Sequence, residues 1–292
     1  MSATSWRIVN GRVLTADGVI LATDLAVEHD RIAGVGTAGS GPVLDARGAL
    51  VLPGLVDLHG DAFERQMMPR PGVAFGVELA LLDTDRQLAA NGVTTAFHAI
   101  TCSWEPGLRS LGSAGALIGA IAALRPRLAC ETRVHLRHEA FNLDGVDHLL
   151  GWIVDGMVDL VAFNDHTPAM ARHLDQPGRL ANLAQRAGMA TEAFARLLAG
   201  VHDRREEVAA STRRIAEAAR SRALPIASHD DPSPAVRSAF HELGARICEF
   251  PWNRETAARA RELGDVVLMG APNVVRGGSH LDLVSAASLV AD

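Results

Sequence analysis

Val51-Leu52-Pro53-Gly54-Leu55-Val56-Asp57-Leu58-His59-Gly60-Asp61 is the stretch on which the reading of this chain turns. Its apolar run reads as a strand. Side chains alternate faces along a strand, so Asp57, His59 and Asp61 point one way while Val56 and Leu58 pack on the other side. An imidazole and a carboxylate therefore share one strand tip, an arrangement suited to a metal ion. Alone, His-x-Asp is a weak signal. Further along, Glu139, His166 and His229 each close a short apolar segment, as if several strands delivered ligands to one rim. A lone histidine is more often a core or surface residue than a ligand, and it is the recurrence at equivalent strand ends that shifts the balance.

Outward from that stretch, the two sides of Pro53-Gly54 differ in pattern. Before it, Trp6 to Val9, Arg12 to Thr15, Val19 to Val27 and Arg31 to Val35 are short β-like pieces separated by Gly, Asp and Asn turns, which predicts a small β-sandwich-like domain over 1–52. After it, strands alternate with helices. Strands are expected at Val93 to Ala99, Thr132 to Glu139, Val158 to Phe163, Leu224 to Ser228, Arg246 to Phe250 and Val266 to Gly270. The helical segments between them include Val77 to Ala90, which stops at Asn91-Gly92. Repeated βα units close into a parallel barrel of about eight strands with function at their carboxyl ends. The fold class is therefore α/β, a TIM (β/α)8-type barrel over 53–292 with a helical insertion at about 169–222. About seven strands are counted, so the eighth unit is lacking. The segment Asp282 to Asp292 reads as a helix with no strand after it.

The 292 residues, 48% hydrophobic and 21% charged, have the balance of a globular protein rather than a disordered one. The longest apolar stretch, Ala114 to Leu124, is shorter than the roughly 20 residues of a membrane span and reads as a buried helix. Met1 to Arg7 lack a signal core, and the expected location is the cytoplasm. Cys102, Cys130 and Cys248 have no metal or redox spacing and are expected to be buried thiols. A net charge of −6 argues against a nucleic-acid surface, and a small anionic substrate would need a local arginine cluster.

In the third strand of the alternating region Val134, Leu136 and His138 share one face, and His135, Arg137 and Glu139 share the other. Barrel interiors are normally filled by branched apolar side chains, so a polar face needs a reason, and a metal with an anionic ligand supplies one. Pairing at an exposed edge is the alternative. Neutral imidazoles and carboxylates at 59, 61, 139, 166 and 229 suit zinc or a related divalent ion, one or two in number, with Glu139 able to bridge. The histidines at 98, 135, 138, 148, 173, 202, 241 and 280 are assigned structural roles or roles supporting the ligands from behind. Met269 to His280 begins as a strand and becomes glycine-rich. Gly277-Gly278-Ser279 ahead of a helix would offer amide hydrogens to phosphate, and Arg276 bidentate recognition; a plain loop is the alternative. Arg65, Met67, Met68, Pro69 and Arg70 form a second basic loop, solvated or functional. The insertion is either a charged, solvated helix face or a lid over the rim.

These motifs resemble the amidohydrolase superfamily of metal-dependent hydrolases. More narrowly, His59-Gly60-Asp61, Pro69-Arg70-Pro71, His135-Leu136-Arg137-His138-Glu139 and Asp165-His166-Thr167-Pro168 are similar to its phosphonate-metabolism branch. The same holds for Ala227-Ser228-His229-Asp230-Asp231, Glu249-Phe250-Pro251 and Leu268 to His280. That branch cleaves ribosyl methylphosphonate triphosphate to the monophosphate and pyrophosphate. The resemblance implies metal ligands at His59, Asp61, Glu139, His166 and His229, with Glu139 and His229 catalytic. It further implies phosphate contacts from Arg70, Arg137, Arg276, Gly277, Gly278, Ser279 and His280. The superfamily takes a further aspartate from its eighth strand, and this sequence offers none. Two alternatives stand beside the diphosphatase reading: hydrolysis of a C–N bond in a small cyclic or acylated substrate, and a truncated, non-catalytic barrel that binds a ligand or partner. An open sheet edge pairs readily, so a homodimer is also expected.

Overall fold

The computed structural model describes residues 5–37, 39–70, 72–279 and 282–290, divided into two compact units, Met1–Leu55 and Val56–Asp292. The first unit is built on one five-stranded sheet. Strand β1 (Ser5–Leu14) pairs antiparallel with β2 (Ile20–Glu28), which pairs with β3 (Arg31–Val35). On its other edge β1 takes β4 (Val43–Asp45) along its first half and β5 (Leu50–Val51) along its second, both parallel. One strand holds two partners in succession because its register with β2 shifts between Ile8 and Gly11, where Asn10 adopts a positive φ of 56°.

The second unit is a seven-stranded sheet. Its strands are β6 (Leu55–Gly60), β7 (Val93–Cys102), β8 (Glu131–Glu139), β9 (Leu160–Asn164), β10 (Ile226–His229), β11 (Ile247–Glu249) and β12 (Val266–Leu268), adjacent in sequence order. Every pairing from β7 through β12 is parallel, so their carboxyl ends lie on one rim. The sheet curls. Five strand spacings separate β6 from β11, about 24 Å in a flat sheet at roughly 4.8 Å each. Yet the His59 Nδ1 lies 3.0 Å from Glu249 Oε2, a distance open only to a sheet rolled toward a barrel. The expected seven strands are all present, with β6 and β12 as the two edges.

Helices cover the outer face: α1 (Ala62–Met67) and α2 (Val77–Ala90) after β6, α3 (Leu111–Leu124) after β7, and α4 (Val146–Val154) after β8. Between β9 and β10 lie α5 (Thr167–Ala171), α6 (Pro177–Arg186), α7 (Thr191–Asp203) and α8 (Arg205–Ser221). Then come α9 (Pro234–Glu242), α10 (Arg254–Glu262), α11 (Ala271–Val275) and α12 (Ala286–Val290). The main core joins Ile100, Leu136, Val161 and Phe163 of the strands to Leu117, Ile121, Leu149 and Ile153 of α3 and α4. The apolar stretch Ala114 to Leu124 is the buried α3, and no described helix is long and apolar enough to cross a membrane.

The region 169–222 contains two kinds of helix. The buried stripe of α8, Ile215, Ala216 and Ala219, belongs to the main core, so α8 covers the sheet as α3 and α4 do. By contrast α6 and α7 close on a core of their own, Leu180, Ala184, Ala187, Phe194 and Leu198, packed against Trp104 and Met170. Trp104 ties that core to the rim by donating from Nε1 to Thr167 Oγ1 at 2.9 Å. Gly107, at φ +84°, lies against the end of α6, where a Cβ would meet the Arg186 carbonyl oxygen at 3.2 Å. The loop can run this close only without a side chain.

Candidate metal centre

Period-2 alternation sends one face of each strand into the core and the other toward the barrel interior, and β8 illustrates the split. Val134 and Leu136 join the main core, whereas His135 and Arg137, also buried, face inward. His135 Nδ1 is 2.9 Å from the Leu58 carbonyl oxygen. A carbonyl can only accept, so Nδ1 carries the proton and Nε2 keeps its lone pair. That lone pair has no hydrogen-bond partner and lies 3.9 Å from Glu249 Oε2, itself an acceptor.

Two overlapping groups of ligand atoms form at the rim: His59, His229 and Glu249, and His166, His229 and Asp230, the atoms of each group within 4.8 Å of one another. His59 Nδ1 meets Glu249 Oε2 at 3.0 Å, and Asp230 Oδ2 lies 3.1 Å from both His166 Nε2 and His229 Nδ1. The His59 and His229 rings are 5.0 Å apart, and each has Phe250 at its edge. Glu249 Oε1 and His135 Nε2 are buried without hydrogen-bond partners, and His229 Nδ1 has only the Asp230 carboxylate oxygen beside it. Buried polar atoms left this way cost free energy. A divalent cation between His59, His229 and Glu249 would partner the Glu249 carboxylate, so the donor set fits an imidazole- and carboxylate-bound ion.

The electrostatics agree. Burial, with Arg137 nearby, lowers the His59 imidazole to about 4, and burial pushes His229 well below its ordinary value. Both rings are then neutral at pH 7, the form that coordinates metal. Burial raises the Glu249 carboxyl to about 7 against the pull of His135 and Arg137. Burial would also raise Asp230, but the adjoining His166 and His229 outweigh it and hold that carboxyl low.

Local backbone brings these side chains to the rim. Asp230 and Phe250, each one residue past its strand, have left-handed φ of 60° and 53°. The ladder continues into both turns: Asp230 N–H donates to the Glu249 carbonyl and Phe250 N–H to the Leu268 carbonyl, each at 2.9 Å. Such backbone costs about 1–3 kcal/mol per residue and persists where surrounding bonds over-determine it. Beneath Asp230, Asp231 is buried and held by Ser228 Oγ at 2.6 Å and by Arg237 Nη1 at 3.2 Å.

Of the ligands expected from sequence, His59, His166 and His229 come together in the two groups. Asp61 lines the same cavity but belongs to neither group. Glu139 is occupied otherwise: its Oε1 accepts from the backbone N–H groups of His166 and Thr167 at 3.2 Å and from Thr167 Oγ1 at 2.7 Å. The carboxylate fixes the turn that carries His166, whose Nδ1 lies 3.7 Å from Glu139 Oε2. Glu249 and Asp230 complete the groups and were missed as ligands. The available signals were the strand-end position of Glu249, directly before Phe250-Pro251, and the adjacency of Asp230 to His229. His135, expected to be structural or to support the ligands, lies 3.9 Å from Glu249 Oε2 and belongs to neither group.

The cavity above these residues has a volume of about 430 Å³. Arg137 lines it, its Nε donating to Asn164 Oδ1 at 3.0 Å, and Ser279 and Asn273 line it as well. Arg276, Gly277 and Gly278 do not line it. Gly277 and Gly278 follow a helix instead of preceding one, and their amides close α11 by donating to the Val274 and Asn273 carbonyls at 3.1 and 2.9 Å. Arg70 lines a different cavity, and His280 lies outside the described residues.

No family model matches the chain. It is 30% identical over 295 residues to the alpha-D-ribose 1-methylphosphonate 5-triphosphate diphosphatase of Escherichia coli strain K12, an alignment covering 97% of this chain and 76% of the relative. A shorter match, 47% identical over 53 residues, links 17% of the chain to 12% of the dihydroorotase of Bacillus thuringiensis strain Al Hakam. Among solved structures, the D-hydantoinase of Bacillus sp. AR9 superposes with a TM-score of 0.51 at 15% identity, covering 90% of this chain and 56% of that one. This last likeness concerns the fold, and the chain spans little more than half of the hydantoinase's length. The fold and the match over 97% of the chain agree: the chain belongs to the amidohydrolase superfamily, in the branch of the ribose methylphosphonate triphosphate diphosphatases.

Proposed function

We propose that the chain is a metal-dependent hydrolase that splits a phosphoanhydride of ribosyl methylphosphonate triphosphate, consuming one water and releasing monophosphate and pyrophosphate. The observation that carries this reading is the convergence of two ligand groups and the buried Arg137 on one cavity, in a relative of an enzyme bearing that name. A divalent ion, zinc by its donor set, held either by His59, His229 and Glu249 or by His166, His229 and Asp230, would acidify water toward neutrality and polarise a phosphoryl oxygen.

The chain's own residues supply the rest. His229, neutral through burial, is common to both groups and offers its one lone pair to either. Asp230 stays ionised and fixes the His166 ring, and Glu139 fixes the backbone beneath it. Arg137 is anchored through Nε, and its terminal nitrogens make no hydrogen bond to any other described residue, so they are free to bind phosphate oxygens bidentately. Asp61 places a further carboxylate at the cavity wall, where it can take a proton from water. A cytoplasmic setting fits the three buried, unbridged cysteines.

The test is pyrophosphate release from the ribosyl triphosphate by metal-loaded protein, followed alongside release of ammonia or amine from cyclic amide substrates. Pyrophosphate supports the proposal, whereas amine would transfer the site to C–N hydrolysis. Stoichiometric metal with neither product would favour a non-catalytic binding role.

A further inference from the structure

A second cavity, about 280 Å³, shares no lining residue with the first. Its walls come from α1 and the loop after it, Glu64 to Arg70, and from α6, which presents Asn182, Gln185 and Arg186. One acidic group, Glu64, lines it, and Arg186 of the wall is itself bound to Glu105. Glu64 is gripped at both oxygens by Arg109, at 2.9 and 2.7 Å, and Glu105 is bound by Arg186 at 2.6 Å. Arg65 and Arg70 have no ion pair and no side-chain hydrogen bond to any described residue, which leaves two uncompensated guanidinium groups facing one concavity.

The backbone holds them in place. The Val73 N–H donates to the Arg70 carbonyl at 3.1 Å and the Phe75 N–H to that of Met67 at 2.9 Å, so the loop is closed on itself. Met67 and Phe63 of α1 are buried in the main core. Asn182 and Gln185 add neutral amide donors, while Met68, Pro69 and Leu108 give an apolar floor. A chain with a net charge of −6 repels anions at long range, so a positive concavity of this kind is a local feature.

From this arrangement we infer a second anion site, in which Arg65 and Arg70 bind the phosphate or diphosphate of a small organic phosphate and the floor takes its apolar part. Paired guanidinium forks match phosphate oxygens, and the amides complete the donor set. The inference is independent of the reaction at the metal centre.

The test is calorimetric titration of the whole, chelator-treated chain with inorganic pyrophosphate, comparing the unaltered protein, Arg65→Gln with Arg70→Gln, and Arg137→Gln. Both arginines of the double variant are exposed, so an unchanged thermal midpoint is expected. The expected result is salt-sensitive binding weakened about tenfold for each guanidinium removed. It should persist in Arg137→Gln. Three outcomes would overturn the site: equal binding by the double variant, loss confined to Arg137→Gln, or no binding to the unaltered chain at millimolar pyrophosphate.

Discussion

The tip of β10 was expected to hold metal and the segment Met269 to Ser279 to contact phosphate, and the structure treats the two differently. At β10–β11 the functional side chains are buried and bonded from several sides: Asp231, Ser228, Arg237 and Glu249 are fully buried, and both turns continue the ladder. In Met269 to Ser279 the chain forms the short helix α11, Val275 is 86% exposed, and the glycine amides are engaged in ending the helix. The difference teaches where side-chain direction is over-determined. A strand in mid-sheet has neighbours on two edges and two faces, whereas a segment beyond β12 has a strand neighbour on one side only.

The sharpest break of this contrast is Arg237→Met. Arg237 is fully buried, donates to Ser228 Oγ and the Ala245 carbonyl, and lies 3.2 and 3.4 Å from Asp231 and Asp265. Removing it leaves the buried Asp231 with only the Ser228 hydroxyl and the Cys248 thiol, and Asp265 with only the His241 ring, and denaturant melts should register a loss of about 3–5 kcal/mol. A loss as small as that of a surface substitution would mean that the β10–β11 end is not the rigid one.

Next in size is a pH effect in the same interior. Burial pushes His98 down to about 4 against an ordinary 6.5. Between those values the unfolded chain binds more protons than the folded one, so this group's contribution to stability is complete above about 6.5 and is lost as pH falls through 4. The full effect is on the order of 3 kcal/mol. Comparing the unaltered chain with His98→Leu at several pH values isolates it. The stability difference should rise with pH across that window and level off above it; a pH-independent difference would contradict the buried neutral assignment.

His229→Ala removes the residue common to both ligand groups. Metal affinity should fall by more than the ~10- to 100-fold typical of losing an outer partner. Elemental analysis after dialysis measures this directly, and retention of full metal content would place the ion elsewhere. The smallest effect sharpens the other side of the comparison. Arg276→Ala, at an exposed position outside the cavity, should change stability by no more than about 0.5 kcal/mol and leave pyrophosphate release within about twofold. A large loss of activity would show that this segment closes over substrate.

The fold was legible because its signals are local and repeated. Val93 to Ala99 and Thr132 to Glu139 appear as β7 and β8, and Asn91-Gly92 ends α2 with Gly92 at a positive φ. The site was legible where a ligand type sits at the end of an apolar run, as His59 and His229 do. Glu249 was less visible, since its strand is three residues long and its neighbour Arg246 makes the segment look amphipathic. The Gly277-Gly278 pair was ambiguous for a different reason. The same dipeptide can open an anion loop or close a helix, and the hydrogen bonds to Asn273 and Val274 that decide between them depend on a helix only five residues long.

By itself the sequence determined the alternation of strands and helices, the parallel βα connectivity and the residue types at the strand ends, because period and turn chemistry are properties of neighbouring residues. Only the tertiary structure decided which of those residues come together. His59 and Glu249 are 190 positions apart and meet because the sheet curls, and Glu139 turns to the His166 backbone because two amides and a hydroxyl lie within its reach. Such choices depend on distances through space, and these arise only when strands far apart in the chain are rolled onto one rim.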